Sequence, residues 1–312
     1  MNNIPKHLLE IKTPQDSKTL VASLGKTPIS YSQLTNFLNC QYAWKLDYLD
    51  KVRLKSPSIH LIFGTAMHTT LQTFLTKMFE TSAVEAEELK LDKILLEEMK
   101  KEYEKEVINS GKHFSTKFEL LEFYNDGMEI INFFIKHRNE YFSKKQCKLI
   151  GVEVPLIVEC DSNPSIMITG FIDIVLYDEV LNKYKIIDIK TSTKGWNKYQ
   201  KADTHKLAQL LIYKKYFAKQ FKVPIENVDV EYFIVKRKLY ENVEFPQKRI
   251  QLFTPASGKT SINRTEKDLD SFVNVVFDKN GSVNPNMIFK KSLNKACNWC
   301  PYKHTTYCPE SK

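Results

Sequence analysis

The chain of 312 residues has no run of about 18 uninterrupted apolar residues, so no membrane-spanning helix is expected from its sequence. Its start, Met1 to Thr13, has charges spread through it and lacks the apolar stretch of an export leader. A soluble, intracellular protein is therefore expected, cytoplasmic in a prokaryotic or viral host. There is no internal repeat, low-complexity block or obvious interdomain linker, which argues against a multi-domain array. A G-x-x-x-x-G-K-[ST] phosphate loop is also missing, which excludes a nucleotide-driven motor of that type within this chain. Arginine is scarce beside lysine, so any polyanion partner would be met mainly by point-like ammonium groups rather than planar forks.

What is present supports a folded domain. Hydrophobic residues make up 42% and aromatics 12%, enough for a real core. The formal net charge of +9, with a pI near 9.0, favours an anionic partner such as nucleic acid. Because lysine dominates, backbone contacts without sequence preference are the expected mode. Six cysteines without an export leader point to metal binding or catalysis rather than disulfides. Cys147 and Cys160 lie in strand-like surroundings and are expected to be inert thiols.

Residues 1–26 lack a clear period and are expected to form a loosely ordered arm, followed by a single domain over 27–312. Within it, 27–145 is mainly helical. Helices are expected over Ser30–Leu49, from a tight entry at Gly64 to Phe79, across the Glu/Lys-rich 83–109, and over Phe118–Phe142. The pattern then turns extended over 146–255. Leu149–Glu159, Ser165–Tyr177 and Lys183–Lys190 read as three adjacent antiparallel strands. A helix at His205–Phe221 precedes strands at Val228–Lys236 and Arg249–Thr254. Residues 256–312 hold a last helix, Glu266–Phe277, and a cysteine-rich tail. The order implies an α/β fold with a central mixed sheet and flanking helices.

The most informative stretch is Gly170-Phe171-Ile172-Asp173, followed fifteen residues after its aspartate by Asp188-Ile189-Lys190. A period of two puts Asp188 and Lys190 on one face of a strand and Ile187 and Ile189 on the other. A buried carboxylate needs a cation, and a second carboxylate from Asp173 on the neighbouring strand would make a hard-oxygen site suited to Mg²⁺ or Mn²⁺. Lys190 could then orient a water and stabilise charge on a phosphorane-like transition state. Taken alone, D-x-K reads more often as an ion pair on an exposed strand than as a metal site.

The tail contributes Cys297-x2-Cys300-x7-Cys308, one ligand short of a set of four, and Cys40 can complete it. Four-cysteine zinc sites usually arise from two C-x-x-C knuckles, so this spacing leans towards a 4Fe-4S cluster, with zinc as the alternative. Either would join segments more than 250 residues apart and tie the ends of the domain together.

Taken together, Gly64-x3-His68, Glu153, Gly170-Phe171-Ile172-Asp173, Asp188-Ile189-Lys190 and Gln209-x3-Tyr213 resemble the RecB-like branch of the PD-(D/E)XK nucleases, in the family's order. The cysteine pattern is similar to that of its iron-sulphur members, such as AddB-type nuclease domains and CRISPR-associated exonucleases. The resemblance implies that His68, Asp173, Asp188 and the Ile189 carbonyl ligate metal and that Lys190 is the catalytic lysine. Glu153 carries either a catalytic or metal role or a solvent-facing one. Gln209 and Tyr213 are implied to meet the DNA backbone from a helix. The implied activity is metal-dependent hydrolysis of DNA, in exonuclease mode on ends or single strands, in recombination, repair, replication or CRISPR adaptation. A helicase, recombination or CRISPR partner protein would supply unwinding. A catalytically silent DNA-binding or assembly module that keeps the cluster is the alternative, and a restriction enzyme is disfavoured because no separate recognition domain is evident.

Overall fold

Extended segments rich in Ile and Val follow a mainly helical part that ends at Tyr141, and in the computed structural model they form one six-stranded mixed sheet between two helical layers. The structure describes residues 8, 10–52, 54, 57–143, 145 and 147–309. In chain order the elements are α1 (Pro14–Ser23), β1 (Thr27–Ile29), α2 (Tyr31–Asn39), α3 (Gln41–Trp44) with a π-turn at Lys45–Leu49, α4 (Ile59–Glu80), α5 (Ala83–Glu87), α6 (Leu91–Ser110) and α7 (Lys117–Tyr141). They continue as β2 (Cys147–Glu159), β3 (Ile166–Asp178), β4 (Lys183–Ser192), α8 (Lys198–Ala202), α9 (Thr204–Phe221), β5 (Val228–Lys236), β6 (Ile250–Phe253), α10 (Lys259–Val276) and a 3₁₀ turn at Lys295–Trp299. Among the described residues no helix is long and apolar enough to cross a membrane.

The sheet runs β1-β3-β4-β5-β6, with β2 along the other edge of β3. β2, β3 and β4 are antiparallel neighbours, and β4 and β5 are parallel, joined through α9. Alternation sends β4's Ile187 and Ile189 into the layer of α4 and α7, and Tyr184 and Ile186 into the layer of α2, α9 and α10. Both faces are therefore dry, and a charge kept inside the sheet is costly. Phe134 of α7, fully buried against Phe74 and Phe233, shows how tightly the α4 side is closed. Truncating such a residue to alanine costs about 3–5 kcal/mol.

Several expectations need correction. The described part of residues 1–26 is not a loose arm: α1 is capped by a reciprocal Thr13–Asp16 box, and Leu8 and Val21 pack on Ile157 and Met167. The box was the readable signal, and one short apolar face hid the period. Residues 1–7 and 9, also assigned to that arm, lie outside the described residues. Ser30–Leu49 is not one helix, because Cys40 is extended (φ −162°) between α2 and α3. Gly64 sits inside α4 rather than at its entry, where a Cβ would stand 3.2 Å from Thr191 Oγ1, so it permits close packing on β4. α10 begins seven residues before Glu266 because its polar first turns masked the stripe through Ile262, Leu269, Phe272 and Val276.

Candidate active site

β3 and β4 pair from Asp178↔Lys183 to Ile174↔Ile187 and then part. β4 continues beside β5 to Ser192, while the same edge of β3 pairs with β1 at Ile166–Ile168. The fork leaves the Ile189 N–H without a strand partner on that side, and Asp173 Oδ2 accepts its hydrogen bond at 2.7 Å. Gly170 lies in the split, where a Cβ would come within 3.1 Å of the Tyr213 ring, so the glycine admits α9.

α4 and β2 bring further groups to this point. His68 Nδ1 is 3.4 Å from Asp173 Oδ2, and the ring is hydrogen-bonded to the Ile189 backbone. Ligand atoms of His68, Glu153 and Asp173 all lie within 4.8 Å of one another. Glu153 sits between Val152 and Val154, which pair with Ile174 and Ile172, and its φ is +46°. A non-glycine residue held there costs on the order of 1–3 kcal/mol. Gln72, one turn of α4 beyond His68 and 7% exposed, donates to Glu153 Oε1 at 2.7 Å and to the Asp173 carbonyl at 3.1 Å. Sequence reasoning missed it. The i,i+4 spacing from His68 was the available signal.

On the α9 side, Asp188 is 1% exposed, and neither of its oxygens has a well-formed hydrogen bond. Among the described residues only the Lys190 ammonium compensates it, 2.7 Å from Oδ2. Lys190 also donates to Gln209 Oε1 at 2.9 Å, and Gln209 Nε2 donates to Tyr213 Oη at 3.4 Å. Tyr213 is 6% exposed, so its ring cannot stack on a base; it supports Gln209 instead.

The titration directions follow from this crowding. Burial, then the charge of Asp188, holds the Asp173 carboxyl well above the usual carboxylate range. Burial also raises Asp188, against the pull of Lys190. Glu153 is raised by burial, opposed by the Gln72 hydrogen bond and reinforced by Asp188. His68 is pushed down to about 4 by burial and by the Lys190 charge, so its imidazole is neutral and free to act as a ligand. Burial works against the Lys190 cation, but Asp188 and Asp173 outweigh it and hold the group charged.

A strand fork with a buried D-x-K, a second buried aspartate and a histidine from a facing helix is matched by one family model, over residues 28–309, that of the PD-(D/E)XK nuclease superfamily. The chain belongs to this superfamily. Among solved structures, a protein from Eubacterium rectale described as a candidate exonuclease is 16% identical, with 92% of this chain and 97% of that chain covered and a TM-score of 0.49. The protein SSO0001 is 12% identical, over 95% of this chain and 88% of that chain, with a TM-score of 0.33. No curated protein matches.

Nucleases of this superfamily use divalent metal ions, and the residues here fit one. His68, Glu153 and Asp173 offer one imidazole nitrogen and carboxylate oxygens at mutual distances suited to one ion, beside the buried Asp188 that Lys190 holds. Asp188 is not within the tight group, which differs from the implied set of His68, Asp173, Asp188 and Ile189. Its charge nevertheless reaches both Asp173 and Glu153.

The cysteines form a second locale. Cys40, Cys297, Cys300 and Cys308 line a common cavity of about 370 Å³ beside Trp299 and Tyr302. Their sulphurs are not gathered into a group within 4.8 Å, as sharing a single ion would require. The tail reaches this place by other means: Phe289 stacks on Trp44 at 5.7 Å, Tyr42 N donates to the Lys290 carbonyl at 3.1 Å, and Tyr302 Oη donates to Asp47 at 2.7 Å. Cys160 is buried and Cys147 half-buried, both away from this cavity.

Proposed function

We propose that the chain is a divalent-metal-dependent deoxyribonuclease of the RecB-like branch, acting as an exonuclease on ends or single strands. The observation that carries this reading is the fork itself, where two buried aspartates and an ammonium share one cleft. Such a cluster is expensive in a sheet packed on both faces and is retained where chemistry needs it. When bound, a divalent ion supplies positive charge to a phosphodiester oxygen and acidifies a water. His68, Glu153 and Asp173 would hold it, together with the Ile189 carbonyl.

The chain's own groups do the remaining work. Lys190, kept protonated by Asp188, orients the attacking water or donates to a non-bridging phosphate oxygen, where negative charge develops. Gln209 fixes the lysine's third direction, and Tyr213 fixes Gln209. Gln72 prevents Glu153 from swinging into solvent. Labelled DNA with Mg²⁺ or Mn²⁺ tests the proposal: cleavage should greatly exceed that of Asp188→Ala. Equal rates would leave the silent-module alternative standing.

The second part of the proposal is a 4Fe-4S cluster on Cys40, Cys297, Cys300 and Cys308. Supporting it are their shared cavity and the uneven spacing of the ligands. A cubane stands between its thiolates and keeps them farther apart than one zinc ion would, which suits four sulphurs around a void. Anaerobic absorption with iron and zinc quantification distinguishes the two metals. A helicase, recombination or CRISPR protein is proposed as the unwinding partner, since no motor motif lies in this chain.

A further inference from the structure

The connection from β4 to α9, residues 193–203, and the first turn of α9 separate Lys190 from Gln209 in the chain. From Lys194 to Lys206 there are four lysines, Lys194, Lys198, Lys201 and Lys206, against one acid. That acid, Asp203, is occupied in capping α9 through the backbone N–H groups of His205 and Lys206. Each ammonium lies over an aromatic ring: Lys194 over Tyr240 at 4.8 Å, Lys198 over Tyr199 at 5.1 Å, Lys201 over Phe253 at 5.6 Å and Lys206 over Trp196 at 5.5 Å. Lys183, Lys185, Lys215, Lys219 and Lys238 on the same sheet and helices each face a carboxylate. The four on the connection enter no such ion pair among the described residues.

Two of these rings are open to solvent, Tyr199 at 74% and Tyr240 at 56% exposure. Both sit on ordered backbone. Tyr199 follows the Asn197 cap of α8, and Tyr240 is clamped by Gln247, which accepts from its N–H at 2.8 Å and donates to its carbonyl at 2.7 Å. Lys190 and Lys194 are four residues apart, and since the chain turns after Ser192 their backbones lie less than about 13 Å apart, at most roughly four base steps of a strand. The patch therefore begins within a few nucleotides of the fork.

Unpaired ammonium groups alternating with exposed ring faces suit a polyanion whose bases are free to stack. A duplex hides its base faces and could use only the lysines. We propose that Lys194, Lys198, Lys201, Tyr199 and Tyr240 form a holding site for an unpaired nucleic-acid strand on its way into the fork. This deepens the nuclease reading and rests on it for the strand's destination, but strand holding can be measured without cleavage.

The test uses full-length protein with Asp188→Asn to stop turnover and a fluorescein-labelled oligo(dT) followed by anisotropy. The double change Tyr199→Ala, Tyr240→Ala should weaken oligo(dT) binding by roughly tenfold or more and leave binding of a duplex unchanged. Lys198→Gln with Lys201→Gln should make the slope of log K against log salt shallower by about 1.4. Unchanged oligo(dT) affinity in the tyrosine double variant, or an equal loss for the duplex, overturns the proposal. Hydrolysis of bis(p-nitrophenyl) phosphate with Mn²⁺ reads the fork alone, since that substrate is too small to reach the tyrosines. The tyrosine variant without the Asp188 change should retain it, and absence of that hydrolysis in the unmodified protein counts against the nuclease reading only.

Discussion

The fork between β3 and β4 takes its geometry from the middle of the sheet, whereas the cysteine-lined cavity is assembled from a helix junction and the last turns of the chain. At the fork, paired strands and two helices hold every reacting group, and the cost is electrostatic: three carboxyls are raised by burial, and Asp173 and Glu153 also by the charge of Asp188. At the cavity the sulphurs are half-exposed, and the cost is entropic, since the tail must be brought back across the whole domain. A few contacts do this, Trp44 with Phe289 and Asp47 with Tyr302 among them, and Cys40 Sγ adds a weak one to the Lys290 carbonyl. A site built into a sheet is rigid but locally strained. One built at the end of the chain depends on remote anchors.

The largest effect should come from removing the ammonium group at the fork. Lys190→Ala should lower cleavage of DNA by about 10³-fold or more, read in single-turnover assays, while iron content stays at the level of the unmodified protein. Coupled loss of iron would show that the two regions are not independent. Next, Tyr302→Phe removes a hydrogen bond to Asp47 and should destabilise the protein by about 1.5–3 kcal/mol in denaturant titrations. The cleavage rate per folded molecule should stay unchanged, and a fall comparable to that of Lys190→Ala would tie the tail to the chemistry.

Asp173→Asn acts in the opposite sense. Because the folded-state pKa of Asp173 is raised, its contribution to stability is fully present below the unfolded value near 3.8 and is lost as pH rises towards the folded value. In metal-free protein at neutral pH the substitution should therefore stabilise by about 0.5–2 kcal/mol and abolish any rise in Tm on adding Mn²⁺. A lower Tm would show that the carboxylate is structural rather than functional. The smallest effect concerns the φ of +46° at Glu153. Glu153→Gly should be about 1 kcal/mol more stable than Glu153→Ala, with both equally impaired in metal binding. Equal stabilities would mean that β2 relaxes around the substitution.

Much of the fork could be read in advance because its residues sit in strands whose period of two is visible. Asp173, Asp188 and Lys190 fall where alternation put them. His68 and Glu153 needed family resemblance, since one histidine on a helix and one glutamate on a strand carry no local signal. Gln72 went unread because a glutamine among apolar helix neighbours gains meaning only once β2 lies across from it. The burial of Tyr213 was missed because the spacing Gln209-x3-Tyr213 specifies a shared helix face but not what covers that face. The Thr13–Asp16 box was legible and passed over.

Local sequence determined the strands, most of the helices, the chemical inventory of two carboxylates and a lysine, and the excess of positive charge, because periodicity and side-chain chemistry are properties of neighbours along the chain. Tertiary structure alone decided that β3 and β4 part beside Asp173, that Glu153 joins His68 and Asp173 while Asp188 pairs with Lys190, and that the lysines of the β4–α9 connection meet no acid among the described residues. These depend on which edges pair and which faces meet across more than a hundred residues, and a short-range pattern carries no information about that.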